Sequence, residues 1–85
     1  MQTFEYIIKD EAGIHARPAG LLVKKVSGLS SMVTITKDEK TVNGDKLFAL
    51  MGLNVKCGDK ITVNVSGENE ENDAGAIRSF LEENL

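Results

Sequence analysis

The sequence predicts an α+β fold, a two-layer open-faced β-sandwich with three helices on one face of a four-stranded antiparallel sheet. Segments of alternating apolar residues and segments with a helical apolar stripe follow one another in the order β-α-β-β-α-β-α. Each segment has one apolar face, and helices packed on one side of an antiparallel sheet bury all of these faces together. The chain has 85 residues, which suffice for one core, so we expect a single domain over residues 1–85.

The composition is that of an ordinary globular protein, with 41% hydrophobic and 27% charged residues. The net charge of -3 argues against nucleic acid or an anionic membrane surface as the main partner. No signal peptide and no membrane-spanning apolar run is apparent, so we expect a cytoplasmic protein without direct membrane insertion. The single cysteine, Cys57, has no partner for a disulfide or a metal site and is interpreted as a small packed or surface residue.

The first half of the chain predicts a strand, a helix and a hairpin. Residues 3–9 alternate, and residues 16–27 carry a helical stripe, with Pro18 in its first turn and Gly28 as the C-terminal stop. Residues 31–36 alternate again and lead through the polar KDEK turn to a short strand at Thr41 and Val42. The expected inward-facing residues are Phe4, Tyr6, Ile8, Ala19, Leu22, Val23, Val26, Val33 and Ile35.

The second half predicts a short helix, a strand and a long helix. Residues 46–53 are helical, with Gly44 and Asp45 as start signals, and residues 61–66 form an alternating strand. The acidic segment ENEEND suits the positive end of the last helix dipole. The short helix has Leu47, Leu50 and Met51 at helical spacing, and the apolar faces of the later strand and helix consist of Ile61, Val63, Val65, Ala74, Ile77, Phe80, Leu81 and Leu85.

The stretch GIHARP at residues 13–18 holds the only histidine and the only proline. His15 precedes the first helix, where unpaired N–H groups attract anions and disfavour imidazolium, so a neutral ring with a nucleophilic nitrogen is expected. A phosphoryl group on that nitrogen would meet the amides of Ala16 and Arg17 and the guanidinium of Arg17. Pro18 would fix the first turn, and Gly13 would allow a close approach to the ring.

Taken by itself, a lone histidine at a helix start is more often a cap or a solvated surface residue than a nucleophile. The chain also has no second histidine and no pattern typical of hydrolases, so it lacks a full catalytic set. One nucleophile beside an anion site indicates a carrier and not a stand-alone enzyme. No metal site is apparent from the sequence.

GIHARPAGLLV at residues 13–23 resembles the phosphorylation-site segment of the HPr family, the histidine-containing phosphocarriers of the bacterial phosphoenolpyruvate-dependent sugar phosphotransferase system. KTVNGDKLFALMGLNVKCGD resembles the family's second motif, and ITVNVSGENEENDAGAIRSFLEENL its last strand and helix. The resemblance implies the sheet order 1-4-2-3. It also implies that His15 accepts a phosphoryl group on Nδ1 from phosphorylated enzyme I and passes it to enzyme IIA domains, with Arg17 stabilising the phosphate and no cofactor. We expect a monomer.

A carrier also needs a docking surface. Leu47 and Phe48 are adjacent on a helix and cannot both point inward, so Phe48 is predicted to be exposed and Leu50 buried; the alternative places Phe48 in the core. The resemblance supports docking by Leu47, Phe48 and Met51. The polar rim is assigned to Lys24 and Ser27, although Lys24 could equally be a plain solvated lysine, and Gly20 is counted among the docking residues.

The sequence departs from the family at several positions. Many Gram-positive relatives have a kinase-regulated serine where this chain has Lys46, and no Ser or Thr occurs between Asn43 and Lys56. The chain should therefore not be a substrate of that kinase. Gly20 weakens the first helix, Asn54 suits a left-handed helix end, and Ala12 lacks a polar side chain that relatives often carry near the histidine.

Two alternatives stay open: a carrier in a nitrogen-related or regulatory relay, and a binding module that transfers no phosphate.

Overall fold

The structure, a computed structural model that describes residues 1–85, has the predicted order of strands and helices. Its four strands pair antiparallel in the order β1-β4-β2-β3, which confirms both the fold class and the strand order that the resemblance implied. The elements are β1 (Gln2–Ile7), α1 (Ala16–Ser27), β2 (Met32–Lys37), β3 (Lys40–Asn43), α2 (Leu47–Gly52), β4 (Lys60–Ser66) and α3 (Glu70–Asn84).

One face of the sheet carries the core. Along β4, Ile61, Val63 and Val65 are fully buried, and Val63 is paired with Phe4 of β1 on one side and Ile35 of β2 on the other. The helices cover this face with apolar stripes that agree with the prediction except at Met51, which is exposed. The core residues they contribute include Ala19, Leu22, Val26, Leu50, Ile77 and Leu81. These residues join in one cluster because every element presents its apolar face to the same layer.

The other face of the sheet is polar, as the alternation predicts. The Thr3 hydroxyl donates to the side-chain carbonyl of Asn64 at 2.8 Å, and the hydroxyls of Thr36 and Thr41 are hydrogen-bonded at 2.8 Å across the hairpin. Cross-strand polar pairs of this kind stabilise a wet sheet face. None of the helices has the length and apolar character needed to cross a bilayer.

Several boundaries differ from the predicted ones because hydrogen bonds are diverted to distant residues. β1 ends at Ile7 and not at Lys9, since the N–H groups of Lys9 and Asp10 both donate to the carbonyl of Leu85. β2 begins at Met32 and not at Ser31, since the Ser31 N–H donates to a carboxylate on α3. These acceptors lie far along the chain, so local patterns do not reveal them.

The two predicted helix signals work differently from expectation. α2 is capped by Lys46, which makes no side-chain capping bond, so the prediction that Gly44 and Asp45 start this helix is wrong. Gly28 does end α1, but with a φ of -85°, a conformation open to any residue. The carbonyls of the last α1 turn accept the N–H groups of Gly28 and Leu29, which closes the helix without a left-handed residue.

Candidate functional site

His15 stands at the N-cap of α1 in an extended conformation, with φ -114° and ψ -178°. Its side chain makes no capping hydrogen bond and is 44% exposed. The imidazole therefore does not cap the helix, and its exposure agrees with the other part of that alternative, a solvated surface histidine. The ring is accessible to another macromolecule while its backbone is held by the start of a regular helix.

Unpaired donors follow the histidine directly. The first hydrogen bond of α1 runs from the Ala19 N–H to the His15 carbonyl at 2.9 Å, and Pro18 has no N–H. The N–H groups of Ala16 and Arg17 donate to no backbone group. The Arg17 side chain is exposed and forms no ion pair. Two backbone amides at the helix start are thus free to bind an anion, and the Arg17 guanidinium has no ion-pair partner that would compete for it.

Gly13 shapes the loop that leads into the site, but for a reason other than the predicted one. Its φ is +68°, and a Cβ there would collide with the Val55 carbonyl and the backbone of Lys56. The next residue, Ile14, is 7% exposed and donates its N–H to the Val55 carbonyl at 3.0 Å. Gly13 therefore allows the loop to pack against the segment after α2, and the close approach is to this backbone and not to the ring.

Sequence reasoning missed Asp10. Its Oδ1 accepts the Ala12 N–H at 2.8 Å and lies 3.7 Å from Nε2 of His15. An aspartate whose side chain bonds the N–H two residues onward is typical of a turn, and this local signal could have identified it. Asp10 is thus a charged neighbour of the ring, whereas Ala12 offers it no polar side chain.

The predicted docking residues lie on α1 and α2, which pack against each other. Phe48 is 85% exposed and Leu50 is 0% exposed, which confirms the predicted orientation of α2. Leu47 is half-buried and Met51 is at the surface. The rim residues Lys24 and Ser27 on α1 are exposed. Gly20, also predicted to dock, is partly buried with open space beside its Cα.

One exposed apolar residue of α1 was not predicted. Leu21 is 43% exposed and shares a shallow groove with Lys24, Lys25 and Phe80 of α3. The adjacent pair Leu21-Leu22 carried the same signal as Leu47 and Phe48, because neighbouring helical residues cannot both face the core.

Lys46 and Asn54, two of the positions that depart from the family pattern, are exposed, and so is the single cysteine. Lys46 makes no side-chain hydrogen bond, and Cys57 is a surface residue, one of the two options foreseen. Asn54 has a φ of 55°, which confirms the left-handed helix end. Its backbone carbonyl accepts a hydrogen bond from the Lys37 ammonium at 2.8 Å, and the same ammonium forms an ion pair with Asp59 at 3.0 Å. Because Lys37 belongs to β2, these contacts connect the end of α2 to that strand.

The fold and the site together define a small α+β protein that presents one accessible imidazole beside a helix start with two unpaired amides. The family model described as "PTS HPr component phosphorylation site" matches residues 2–83. The chain belongs to the HPr family.

Known relatives agree with this assignment over nearly the whole chain. The phosphocarrier protein HPr of Borreliella burgdorferi is 41% identical over 92% of this chain and 91% of its own length. A solved HPr from Thermoanaerobacter tengcongensis superposes with a TM-score of 0.93 at 33% identity, covering 99% of this chain and 94% of the other. Crh, the catabolite repression containing protein of Bacillus subtilis, solved as a dimer with a swapped domain, has a TM-score of 0.77 at 30% identity, covering 94% and 92%.

Proposed function

We propose that this protein is a cytoplasmic phosphocarrier of the sugar phosphotransferase system. His15 would accept a phosphoryl group on Nδ1 from phosphorylated enzyme I and donate it to enzyme IIA domains of sugar permeases. The observation that carries the proposal is the exposed His15 ring at a helix start with two unpaired amides, in a chain of the HPr family.

The chemistry needs little from the carrier beyond position and charge. Phosphoryl transfer depends on alignment of donor and acceptor and on stabilisation of phosphate oxygens. The amides of Ala16 and Arg17 and the Arg17 guanidinium would bind the oxygens, while Pro18 holds the turn. No metal bound to the carrier is required, and the protein acts as one substrate of its partner enzymes and not as a stand-alone catalyst.

The test is incubation with phosphoenolpyruvate and enzyme I, followed by phosphorus NMR and mass analysis. We expect one acid-labile, alkali-stable phosphate on His15, absent from His15→Ala. Arg17→Ala should still fold, because its side chain makes no hydrogen bond or ion pair, but should transfer more slowly. A protein that remains unmodified while a control HPr is charged would refute the carrier function.

The structural similarity to Crh, a catabolite repression containing protein, favours a second candidate with a regulatory role. In this candidate the chain would dock on a partner without carrying phosphate. The intact His15 and Arg17 support the carrier instead, because a pure binding module needs no nucleophile. A relay with a nitrogen-related or regulatory output would leave the chemistry at His15 unchanged. Genes for enzyme I or a sugar permease beside this one would favour the sugar branch, and the phosphorylation assay separates carrier from binder.

We also propose that the working form is a monomer, since each encounter requires His15 and the exposed face of α2 to be open to a partner. The solved Crh dimer makes this a point to measure directly. Light scattering after size exclusion, over a range of concentrations, should give a mass near 9.2 kDa. A concentration-independent mass of twice that value would contradict the proposal.

A further inference from the structure

The carboxylate of Asp10 is the only acidic group with an oxygen within 4.0 Å of a ring nitrogen of His15, and that nitrogen is Nε2. We propose that Asp10 is a positioning residue for phosphoryl transfer, which keeps the ring proton on Nε2 and so leaves the lone pair on Nδ1. The inference rests on the proposed function for its chemistry. Its effect on the ring can be measured without any phosphate.

Asp10 is fixed from three directions. Its Oδ1 accepts the Ala12 N–H at 2.8 Å, its backbone carbonyl accepts the Gly13 N–H at 2.9 Å, and its own N–H donates to the Leu85 carbonyl at 2.9 Å. The side chain is 32% exposed. A carboxylate anchored in this way presents its charge to the ring with little loss of side-chain freedom when the partner arrives.

The charge discriminates between the two neutral tautomers of imidazole. An ionised carboxylate has no proton to donate, so it attracts an N–H on the nearer ring nitrogen and repels a lone pair there. The nitrogen nearer to Asp10 is Nε2, at 3.7 Å, which is beyond a hydrogen bond but within electrostatic contact. The favoured tautomer therefore has its proton on Nε2 and its lone pair on Nδ1.

The same contact acts after transfer. The Nδ1 lone pair forms a bond to phosphorus, the bond between phosphorus and the donor atom of phosphorylated enzyme I breaks, and that electron pair stays with the donor atom. The acceptor ring keeps its Nε2–H and becomes a phosphorylated imidazolium, positively charged beside the Asp10 carboxylate. An aspartate that fixes a histidine tautomer and stabilises its cationic form is an established arrangement in acyl-transfer enzymes. The reverse sequence of bonds delivers the phosphoryl group to the next acceptor.

Asp10→Asn is the informative variant, because the amide oxygen can still accept the Ala12 N–H while the charge is lost. Glu11→Gln is the matched control: it removes the same charge from the neighbouring exposed residue, which makes no hydrogen bond or ion pair. The readout is nitrogen NMR of ¹⁵N-histidine in the unphosphorylated protein near pH 8.5, where an ordinary imidazole is neutral.

In wild-type protein and Glu11→Gln we expect the Nε2–H tautomer to dominate, and in Asp10→Asn the ratio of tautomers should fall by about twofold to fivefold, the size of a partly exposed charge contact. About 1 M salt should move the wild-type ratio toward that of Asp10→Asn, because it screens the charge. A purely structural role for Asp10 would produce neither change. Equal ratios in Asp10→Asn and Glu11→Gln would overturn the proposal.

Phosphorylation provides the second readout. With phosphoenolpyruvate and enzyme I, Asp10→Asn should be phosphorylated about twofold to fivefold more slowly than Glu11→Gln, because a smaller fraction of its His15 is the reactive tautomer. If none of the three proteins is phosphorylated, the proposed function fails, while the tautomer ratios still decide the role of Asp10. If all three are phosphorylated at the same rate, Asp10 does not position the reacting ring.

Discussion

The carboxylate of Asp73 on α3 accepts hydrogen bonds from both the backbone N–H and the hydroxyl of Ser31, at 3.1 and 2.5 Å, across 42 residues of sequence. Both residues are buried, with exposures of 5% for Asp73 and 7% for Ser31. Ser30 and Asn69 add longer contacts to the same carboxylate, at 3.4 Å each. The pair fastens the first turn of the last helix to the loop that enters β2.

Removal of this carboxylate should destabilise the protein without changing the His15 site. Asp73→Ala leaves the Ser31 N–H and hydroxyl buried without an acceptor, at a cost of about 2–3 kcal/mol, and Ser31→Ala should cost about 1–2 kcal/mol. Glu71→Ala, at an exposed position of the same helix turn, should stay within about 0.5 kcal/mol. Urea unfolding measures all three, and equal stability of Asp73→Ala and Glu71→Ala would contradict the assigned role.

Two glycines should respond in opposite directions to the same substitution. Gly13→Ala places a Cβ against the Val55 carbonyl at a positive φ and should cost more than about 1 kcal/mol. Gly20→Ala meets nothing within 4 Å in the interior of α1 and should stabilise the protein by about 0.5–1 kcal/mol. Thermal unfolding of the two variants compares them directly. A stable Gly13→Ala protein would show that the loop can shift away from Val55.

Asp59 should contribute to stability in a pH-dependent way. The hydrogen bond from the Lys56 N–H, followed by the Lys37 side chain, lowers the pKa of the Asp59 carboxyl below its ordinary value of 3.8. A carboxyl with a lowered folded-state pKa stabilises the fold above the unfolded value, and this contribution disappears as the pH falls through the folded one. Asp59→Asn should therefore be less stable than wild-type protein at pH 7. Its stability should also fall less than that of wild-type protein as the pH drops below about 4.

The control for this pH effect is Glu39→Gln, an exposed carboxyl in the hairpin turn that makes no hydrogen bond. Urea unfolding at several pH values should give parallel curves for Glu39→Gln and wild-type protein. An Asp59→Asn curve parallel to both would show that the Lys56 and Lys37 contacts do not stabilise the ionised form of Asp59.

Phe48 should matter for partner binding and not for folding. Its side chain is 85% exposed, so Phe48→Glu removes an aromatic anchor from the surface and should weaken binding to enzyme I by more than about tenfold. Ile7→Glu makes a similar change on the polar face of the sheet, at a residue 55% exposed, and should leave binding nearly unchanged. Titration calorimetry measures binding and thermal unfolding checks the fold. A collapsed Phe48→Glu protein would support the core alternative.

Lys46 should make the chain inert to the regulatory kinase that phosphorylates a serine at the start of α2 in many Gram-positive relatives. The lysine side chain is exposed and makes no hydrogen bond, so Lys46→Ser should fold normally and supply the missing hydroxyl. Mass analysis after incubation with kinase and ATP should show no product for wild-type protein. A phosphorylated Ser or Thr in wild-type protein would overturn this interpretation of Lys46.

The sequence by itself determined the order of elements, the inward faces of the strands and helices, and the position of His15 before α1. It could do so because side-chain alternation and helical spacing are local properties, and they persist wherever the element packs. The orientation of Phe48 and the left-handed Asn54 follow from the same kind of local reasoning.

Only the tertiary structure decided which distant groups meet. β1 ends where N–H groups donate to the Leu85 carbonyl, and β2 begins one residue late because the Ser31 N–H donates to the Asp73 carboxylate. Glycine is required at residue 13 because a Cβ there would collide with Val55. No local sequence pattern encodes these contacts. Asp10 is an intermediate case, because its turn was readable but its approach to Nε2 of His15 depends on how the loop is held by Leu85 and Val55. Burial and hydrogen bonding between remote segments depend on the closed fold as a whole, and they set the surroundings of the histidine.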